Sequence, residues 1–135
     1  MKANEIKVGH IYYVDYNPVK AGEFGKQHMG IVLRKNENEI TFVTIPLTSN
    51  EMGKNKINLG KLECLPERLR KKESYAVLDQ IRTVSSKRFE PIYDDTAKRI
   101  DAIVPKELLI IIYKAAIKAF LKDVDAEDVI KIFLS

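Results

Sequence analysis

The sequence has little of what covalent cross-links and metal sites require. It contains one cysteine, Cys64, and two histidines among 135 residues. A single thiol cannot form an internal disulfide, and these three residues are too far apart for the usual zinc-binding patterns. We therefore expect a protein of the reducing cytoplasm that uses neither a metal ion nor another cofactor.

Long hydrophobic runs are also absent. The longest apolar run covers residues 108–113 and is followed by Lys114, Lys118 and Lys122, whereas a membrane-spanning helix needs about 20 apolar residues. The N-terminus lacks the charged and apolar regions that make up a secretory signal. These features argue against a membrane span and agree with a cytoplasmic location.

Apolar residues make up 45% of the chain and charged residues 31%, a balance that suits a compact domain rather than a disordered chain. We expect a single domain over residues 1–135, with a core in residues 1–122 and a helical extension in residues 123–135. The net charge is +4, and it is concentrated in residues 52–72, where seven basic residues oppose two acidic ones. An excess of this size permits an anionic partner without requiring one.

Short apolar segments with β-branched and aromatic residues predict a series of strands. They cover residues 11–16, 30–33, 40–47, 56–59, 75–78 and 80–84. Between the first two strands lies a polar loop, residues 17–29, that is long for a hairpin connection. Long loops often carry function, so we expect functional residues there.

Two helices are predicted after the strands. Pro105 and the apolar residues that follow at intervals of three or four predict an amphipathic helix, and Asp125 with Asp128 indicates the start of a second, shorter one. The apolar band of the first helix is broader than one stripe, so the terminal helix or another subunit is expected to cover it. Strands followed by helices indicate the α+β class, with the strands in a small barrel.

Four sequence segments occur in a characteristic order. Residues 9–18 read GHIYYVDYNP and residues 21–33 read AGEFGKQHMGIVL, followed by PLTS at residues 46–49 and QIRT at residues 80–83. Over residues 8–121 this arrangement resembles the MazF/PemK toxins. In that family an aromatic strand ending in Asp-x-x-Pro precedes a Gly-x-Glu-x-Gly loop, and a Gln-Ile-Arg-Thr strand comes later.

The resemblance implies a fold, an activity and partners. The fold is a homodimeric SH3-like antiparallel β-barrel of the CcdB/PemK type. The activity is ribosome-independent and metal-independent cleavage of single-stranded RNA, in which the 2′-hydroxyl attacks its own phosphate and leaves a 2′,3′-cyclic phosphate and a 5′-hydroxyl. A cognate protein antitoxin would inhibit such a toxin.

By position in the family pattern, the catalytic arginine and threonine of these toxins correspond to His28 and Thr48. Histidine departs from that pattern, because an imidazole with an ordinary pKa of about 6.5 lacks the permanent charge of a guanidinium. It is nevertheless a good general acid or base near neutral pH, and Lys26 can supply fixed charge. We expect His28 and Thr48 to be catalytic. The alternatives are that His28 is a surface residue of an inactive relative and that Thr48 only terminates a strand.

Further residues are expected to contact the RNA. They are Glu23, Lys26, Gln27, Ser49, Gln80 and Arg82. In a strand, Gln80 and Arg82 would point to the same face and could read a base edge and hold a phosphate, although a polar cross-strand ladder is the alternative. Tyr12, Tyr13 and Tyr16 either stack on bases or pack in the core.

Two other functions fit parts of the sequence. A ToxN-like ribonuclease, which an RNA antitoxin would inhibit, is similar at residues 30–33 and 46–49. A CcdB-like gyrase-binding protein or a nucleic-acid-binding module is a non-catalytic alternative with the same fold. The chain ends in residues 132–135 without tryptophan, which speaks against the gyrase-binding function.

Overall fold

The computed structural model describes residues 1–18, 20–23, 25 and 27–135. These residues form β-strands followed by two C-terminal helices. The strands are β1 (His10–Asp15), β2 (Gln27–Lys35), β3 (Thr41–Thr48), β4 (Lys56–Asn58), β5 (Tyr75–Val77), β6 (Arg82–Ser85), β7 (Phe89–Glu90), β8 (Ile92–Tyr93), β9 (Arg99–Ile100) and β10 (Ala102–Ile103). The helices are α1 (Lys106–Phe120) and α2 (Ala126–Leu134). The predicted α+β class, with two helices at the C-terminus, is confirmed.

The main sheet is antiparallel and has the strand order β10-β1-β2-β3-β5-β4, with β6 paired to β3 and β7 paired to β1. Strands β5 and β6 share β3, because β5 pairs with Leu47 and Thr48 while β6 pairs with residues 41–44. A 3₁₀ turn, Leu78–Gln80, separates these two short strands. Among the described residues the pairing is therefore an open, branched path, and the predicted barrel is not closed.

Both faces of the central strands are covered by apolar side chains, because successive residues of a strand point to opposite sides. On one face, Ile31 belongs to a buried cluster that includes Ile112 of α1. On the other face, Val32 and Phe42 belong to a second cluster. This two-sided burial explains why residues 30–33 read as a continuous apolar run instead of an alternating one.

Strand β2 begins three residues earlier than the sequence predicts. Gln27 and His28 therefore lie in the sheet and not in the preceding loop, and they pair with Asp15 and Val14 of β1. Backbone pairing does not require apolar side chains, so the polar end of this strand has no hydrophobic signature.

Gln80 lies outside the strand in which the sequence places it. It ends the 3₁₀ turn, whereas β6 begins at Arg82, so the prediction that these two residues share a strand face is wrong. The turn is fixed by a 2.9 Å hydrogen bond from the Leu78 amide to the Asn55 carbonyl. This contact between distant residues has no local sequence signal.

Helix α1 buries only one of its sides. Ile112 is fully buried, whereas Ile110, Ile111 and Phe120 are 55%, 49% and 87% exposed. Helix α2 packs beside the C-terminal turns of α1, where the two helices line a small cavity. The expectation that α2 covers the broad apolar face is therefore met only in part. No helix in the described part of the chain is long and apolar enough to cross a membrane.

Candidate active site

The two predicted catalytic residues lie at neighbouring strand ends. His28 is the second residue of β2 and pairs with Val14 of β1, while Thr48 is the last residue of β3. Antiparallel pairing sets Gly30 opposite Pro46, and the same register continued by two residues sets His28 beside Thr48. Both side chains are half-buried, so they lie at the boundary between the buried part of the sheet and solvent.

A cavity of about 440 Å³ is lined in part by these two residues. Two of the predicted substrate contacts, Gln27 and Ser49, also line it. The loop between β4 and β5 also lines this cavity and contributes Arg68, Lys71 and Lys72. Four predicted site residues and three cations of the charged run therefore line one opening. Gln27 and His28 are successive residues of β2 and point to opposite faces of the sheet, so this opening lies at the end of the sheet.

The Thr48 hydroxyl already has a structural partner. Its Oγ1 accepts a 3.1 Å hydrogen bond from the backbone N–H of Asn50, an arrangement typical of hydroxyl residues at strand ends. A hydroxyl that accepts one hydrogen bond still has its own proton to donate. The same group can therefore hold this turn and donate a hydrogen bond to a phosphate oxygen.

Arg82 of β6 does not line this cavity. It pairs with Thr44 of β3, and its guanidinium carbon lies 4.6 Å from the centroid of the Tyr16 ring, which is a cation–π distance. The Tyr16 hydroxyl lies 2.9 Å from Thr44 Oγ1. Alternate residues of β3 share a face, so this cluster lies on the same side of the sheet as Thr48.

Tyr16 and Gly30 form a support that sequence reasoning missed. Tyr16 is 2% exposed, and burial raises its pKa to about 12, against smaller lowering effects from the Thr44 hydrogen bond and the Arg82 charge. Its hydroxyl therefore stays protonated near neutral pH. A Cβ at residue 30 would lie 2.5 Å from the Tyr16 hydroxyl oxygen, so only glycine fits there without movement. The sequence did carry a signal for this contact, because a glycine inside an apolar strand often marks a close approach by another group.

The two tyrosines of β1, Tyr12 and Tyr13, differ in where they lie. Tyr12 belongs to the buried core, as does Tyr16, which confirms the packing interpretation for both. Tyr13 is half-buried and lines the cavity.

Two predicted substrate contacts are tied into the first long loop. Glu23 Oε1 accepts a 2.5 Å hydrogen bond from the backbone N–H of Lys20. Gln80 Nε2 donates to the carbonyl oxygen of Gly22 at 3.3 Å, which attaches the loop to the turn before β6. Lys26 lies outside the described residues.

The remaining thiol and imidazole lie elsewhere. Cys64 packs against the core, and burial raises the pKa of its thiol, which disfavours the nucleophilic thiolate. The His10 ring stacks beside Tyr12 with 6.3 Å between ring centroids. Among residues 1–18, 20–23, 25 and 27–135, no group of three or more His, Cys, Asp or Glu residues is placed to hold a metal ion.

Comparison with known proteins decides the family. The family described as the PemK-like, MazF-like toxins of type II toxin-antitoxin systems matches residues 7–121. The chain belongs to this family. All the predicted site residues lie within the matched part, and the match ends at Leu121, directly after α1. Helix α2 is therefore an addition to the part shared with these toxins.

Solved structures agree with the fold of the PemK-like and MazF-like toxins. MazF of Deinococcus radiodurans superposes with a TM-score of 0.61 at 18% sequence identity, over 87% of this chain and 96% of that one. The structure of MazE-MazF from the same organism gives a TM-score of 0.54 at 17% identity, with the same coverage. At such identities the likeness establishes the fold alone. No curated protein sequence gives a significant match.

Proposed function

We propose that this member of the toxin family is an endoribonuclease that cleaves single-stranded RNA without a metal ion and without the ribosome. The observation that carries the proposal is that His28 and Thr48 line one cavity together with the cations Arg68, Lys71 and Lys72. A phosphodiester bound at the end of β2 and β3, at the edge of this cavity, would lie near an imidazole, a hydroxyl donor and positive charge. Cleavage of RNA by its own 2′-hydroxyl needs these three kinds of group.

In this mechanism the substrate supplies the nucleophile. The 2′-oxygen attacks the adjacent phosphorus, and a P–O2′ bond forms as the P–O5′ bond breaks. The 2′-hydroxyl loses its proton and the leaving 5′-oxygen gains one, so the products are a 2′,3′-cyclic phosphate and a 5′-hydroxyl. We assign one of these proton transfers to His28, and to Thr48 a hydrogen bond to a nonbridging oxygen of the phosphorane.

Permanent positive charge has to come from other residues, because His28 replaces the arginine of the family. Arg82 is proposed as a phosphate contact outside the cavity, since the Tyr16 ring holds its guanidinium on the sheet face of Thr48. Lys26 is proposed for the same role from its place two residues before His28. Glu23 and Gln80 are proposed to shape the loop that covers the substrate, which their hydrogen bonds to its backbone support.

The deciding experiment is incubation of the purified protein with a long RNA in the presence of EDTA, followed by mapping of the fragment ends. We expect cleavage to persist in the chelator and to leave 2′,3′-cyclic phosphates and 5′-hydroxyls. The Thr48→Ala variant, purified in the same way, controls for a contaminating ribonuclease. Fragments with 3′-hydroxyl ends would contradict the mechanism, and an intact RNA would contradict the activity.

We further propose that a protein antitoxin inhibits the enzyme in the cytoplasm. Membership of a type II family supports this inhibitor over an antitoxin RNA, as does the similar fold of a MazE-MazF structure. Growth arrest on expression should be relieved by the small protein encoded beside the toxin gene. Relief by a repetitive non-coding RNA instead would favour the ToxN-like alternative.

A further inference from the structure

The basic run between β4 and β5 contains two arginines that hold the loop in place. Arg70 Nη1 donates to the carbonyl oxygens of Glu63 and Leu65 at 3.2 and 3.3 Å. Arg68 donates to Asp95 Oδ1 at 2.9 Å and to the carbonyl oxygen of Tyr93 at 2.6 Å. These bonds fix the loop both to itself and to the β8–β9 hairpin.

The two lysines that follow do not hold the loop in place. Lys71 and Lys72 are exposed and make no hydrogen bond or ion pair with any residue that the structure describes, yet both line the cavity beside His28. The chain directly after them is anchored, because Ser74 donates its N–H to the Gly60 carbonyl at 2.9 Å and accepts from the Leu59 N–H at 2.8 Å. Two exposed cations on an anchored loop suit the binding of a polyanion.

Part of the lining of the same cavity is apolar and carries an aromatic ring. Tyr13, Met29 and Leu47 line it from β1, β2 and β3, and Leu69 lines it from the loop. An aromatic ring and a thioether suit the flat face of a nucleobase. A cavity of about 440 Å³ is within the usual range for a small-ligand site.

Polar groups complete the lining. Gln27 and Ser49 lie on the strand side and Ser74 on the loop side. The Gln27 amide donates one hydrogen bond, 3.2 Å long, to Glu90, which orients the side chain and leaves its carbonyl oxygen to accept. These groups match the hydrogen-bonding edge of a base.

We propose that this cavity is a nucleotide-binding subsite that seats one base of single-stranded RNA on the Tyr13 wall and the neighbouring phosphates on Lys71 and Lys72. The subsite adjoins His28 and Thr48, so it would hold a nucleotide next to the cleaved bond and contribute to sequence preference. This inference rests on the proposed ribonuclease function. It adds residues of the β4–β5 loop to the substrate contacts expected from the sequence.

The phosphate contacts are tested with a short single-stranded RNA in which every 2′-hydroxyl is replaced by fluorine, so that the probe lacks the nucleophile. Fluorescence anisotropy at several KCl concentrations gives the affinity and its salt dependence. For the Lys71→Ala/Lys72→Ala variant we expect a loss of affinity of roughly 10-fold and a slope of log K against log salt that is shallower by about 1.4, the value for two phosphates on a single strand.

A matched variant separates the local effect from the change in net charge. Lys35→Ala/Lys87→Ala removes two exposed lysines that do not line the cavity, and it should keep the wild-type affinity and slope. Equal losses in both double variants would overturn the subsite, as would wild-type behaviour of the Lys71/Lys72 variant. A wild-type protein that neither binds the probe nor cleaves RNA would overturn the ribonuclease function as well.

The base contact is tested at Tyr13. Tyr13→Phe keeps the ring and should retain the affinity, whereas Tyr13→Leu should weaken binding roughly 5- to 150-fold, the range for the loss of one stacked base. The salt slope should stay unchanged in both, because neither variant removes a phosphate contact. Thermal unfolding of each variant shows whether it is folded. Equal affinity of folded Phe and Leu variants would overturn the base-stacking role.

Discussion

The cavity beside His28 and the groove between the sheet and the two helices differ in the chemistry of the residues that line them. The cavity, about 440 Å³, has three cationic side chains in its lining, those of Arg68, Lys71 and Lys72. The groove is larger, about 970 Å³, and is lined mainly by apolar residues of α1 and α2, including Ile117, Phe120 and Phe133. The cavity suits a charged and hydrated strand of nucleic acid, whereas the groove suits an apolar protein surface.

The two surfaces also differ in how they relate to the toxin family. Every described residue of the cavity lies within residues 7–121, which match the family. The groove is completed by Ile132 and Phe133 of α2, beyond the matched part. We therefore expect changes in the cavity to affect RNA cleavage and changes in the groove to affect association.

The largest expected effect is at His28. His28→Ala should lower the rate of RNA cleavage by roughly 10²- to 10⁴-fold, the usual contribution of a general acid or base, and should remove one limb of the pH–rate profile. If His28 donates a proton to the 5′-oxygen, wild-type cleavage falls as the pH rises through the imidazole titration. If it removes the 2′-proton, cleavage rises instead. Single-turnover rates across the pH range measure both.

Two variants sharpen the assignment. His28→Arg restores the charged group of the family and should recover part of the activity without the pH-dependent limb. His10→Ala removes the other histidine, which does not line the cavity, and should leave the pH profile unchanged. An identical rate and pH profile for the wild type and His28→Ala would show that His28 is not catalytic.

The next effect is at Thr48. Thr48→Ala removes the hydroxyl and should lower the cleavage rate by roughly 10- to 1000-fold, equivalent to about 1.4 to 4 kcal/mol of transition-state stabilisation. Thr48→Ser keeps the hydroxyl and should retain most of the activity. Thr83→Ala, at an exposed position of β6, is the matched control. Full activity of Thr48→Ala would leave this residue with only its hydrogen bond to Asn50.

These catalytic assignments came from sequence pattern, and the sequence also predicts much of the fold. Apolar, β-branched segments give strands such as residues 30–33 because the buried part of a strand must be apolar. The same rule fails at Gln27 and His28, which join β2 through backbone pairing alone. It also fails at Gln80, whose turn depends on a contact with Asn55 across the chain.

The division of the basic run shows the same limit within the site. Residues 68–72 read as one charged segment, and nothing local distinguishes its arginines from its lysines in function. Arg68 is engaged because the fold brings Asp95 to within 2.9 Å of it. Which cations are bonded within the fold and which are not is therefore set by tertiary contacts that a charge pattern does not encode.

A substitution at Gly30 tests the contact between Gly30 and Tyr16 near the candidate active site, and its expected effect is smaller. Gly30→Ala should lower the free energy of unfolding by about 1 to 3 kcal/mol, because the new methyl group displaces the buried Tyr16 hydroxyl from Thr44. Urea unfolding measures the change. Removing the hydroxyl in Tyr16→Phe/Gly30→Ala should recover part of this loss, and a double variant no more stable than Gly30→Ala would contradict the steric explanation.

The smallest expected effect on the fold, and the sharpest test of the groove, is at Phe120. Its 87% exposure means that Phe120→Glu should change the stability of the isolated chain by no more than about 0.5 kcal/mol. We propose that a second copy of the chain covers this apolar face in a homodimer. A carboxylate would then be buried without a partner and should dissociate the dimer. Analytical ultracentrifugation measures the dimer fraction against concentration.

Two controls show whether dimerisation depends on the groove in particular and which of the two helices it requires. Ile40→Glu changes a 58% exposed residue that does not line the groove, and the dimer should persist. Deletion of residues 123–135 removes α2; a dimer that survives it is held by α1 and the sheet, whereas a monomer shows that the added helix completes the interface. A wild-type protein that is monomeric at all concentrations would contradict the association, and RNA cleavage by that monomer would separate the function of the cavity from that of the groove.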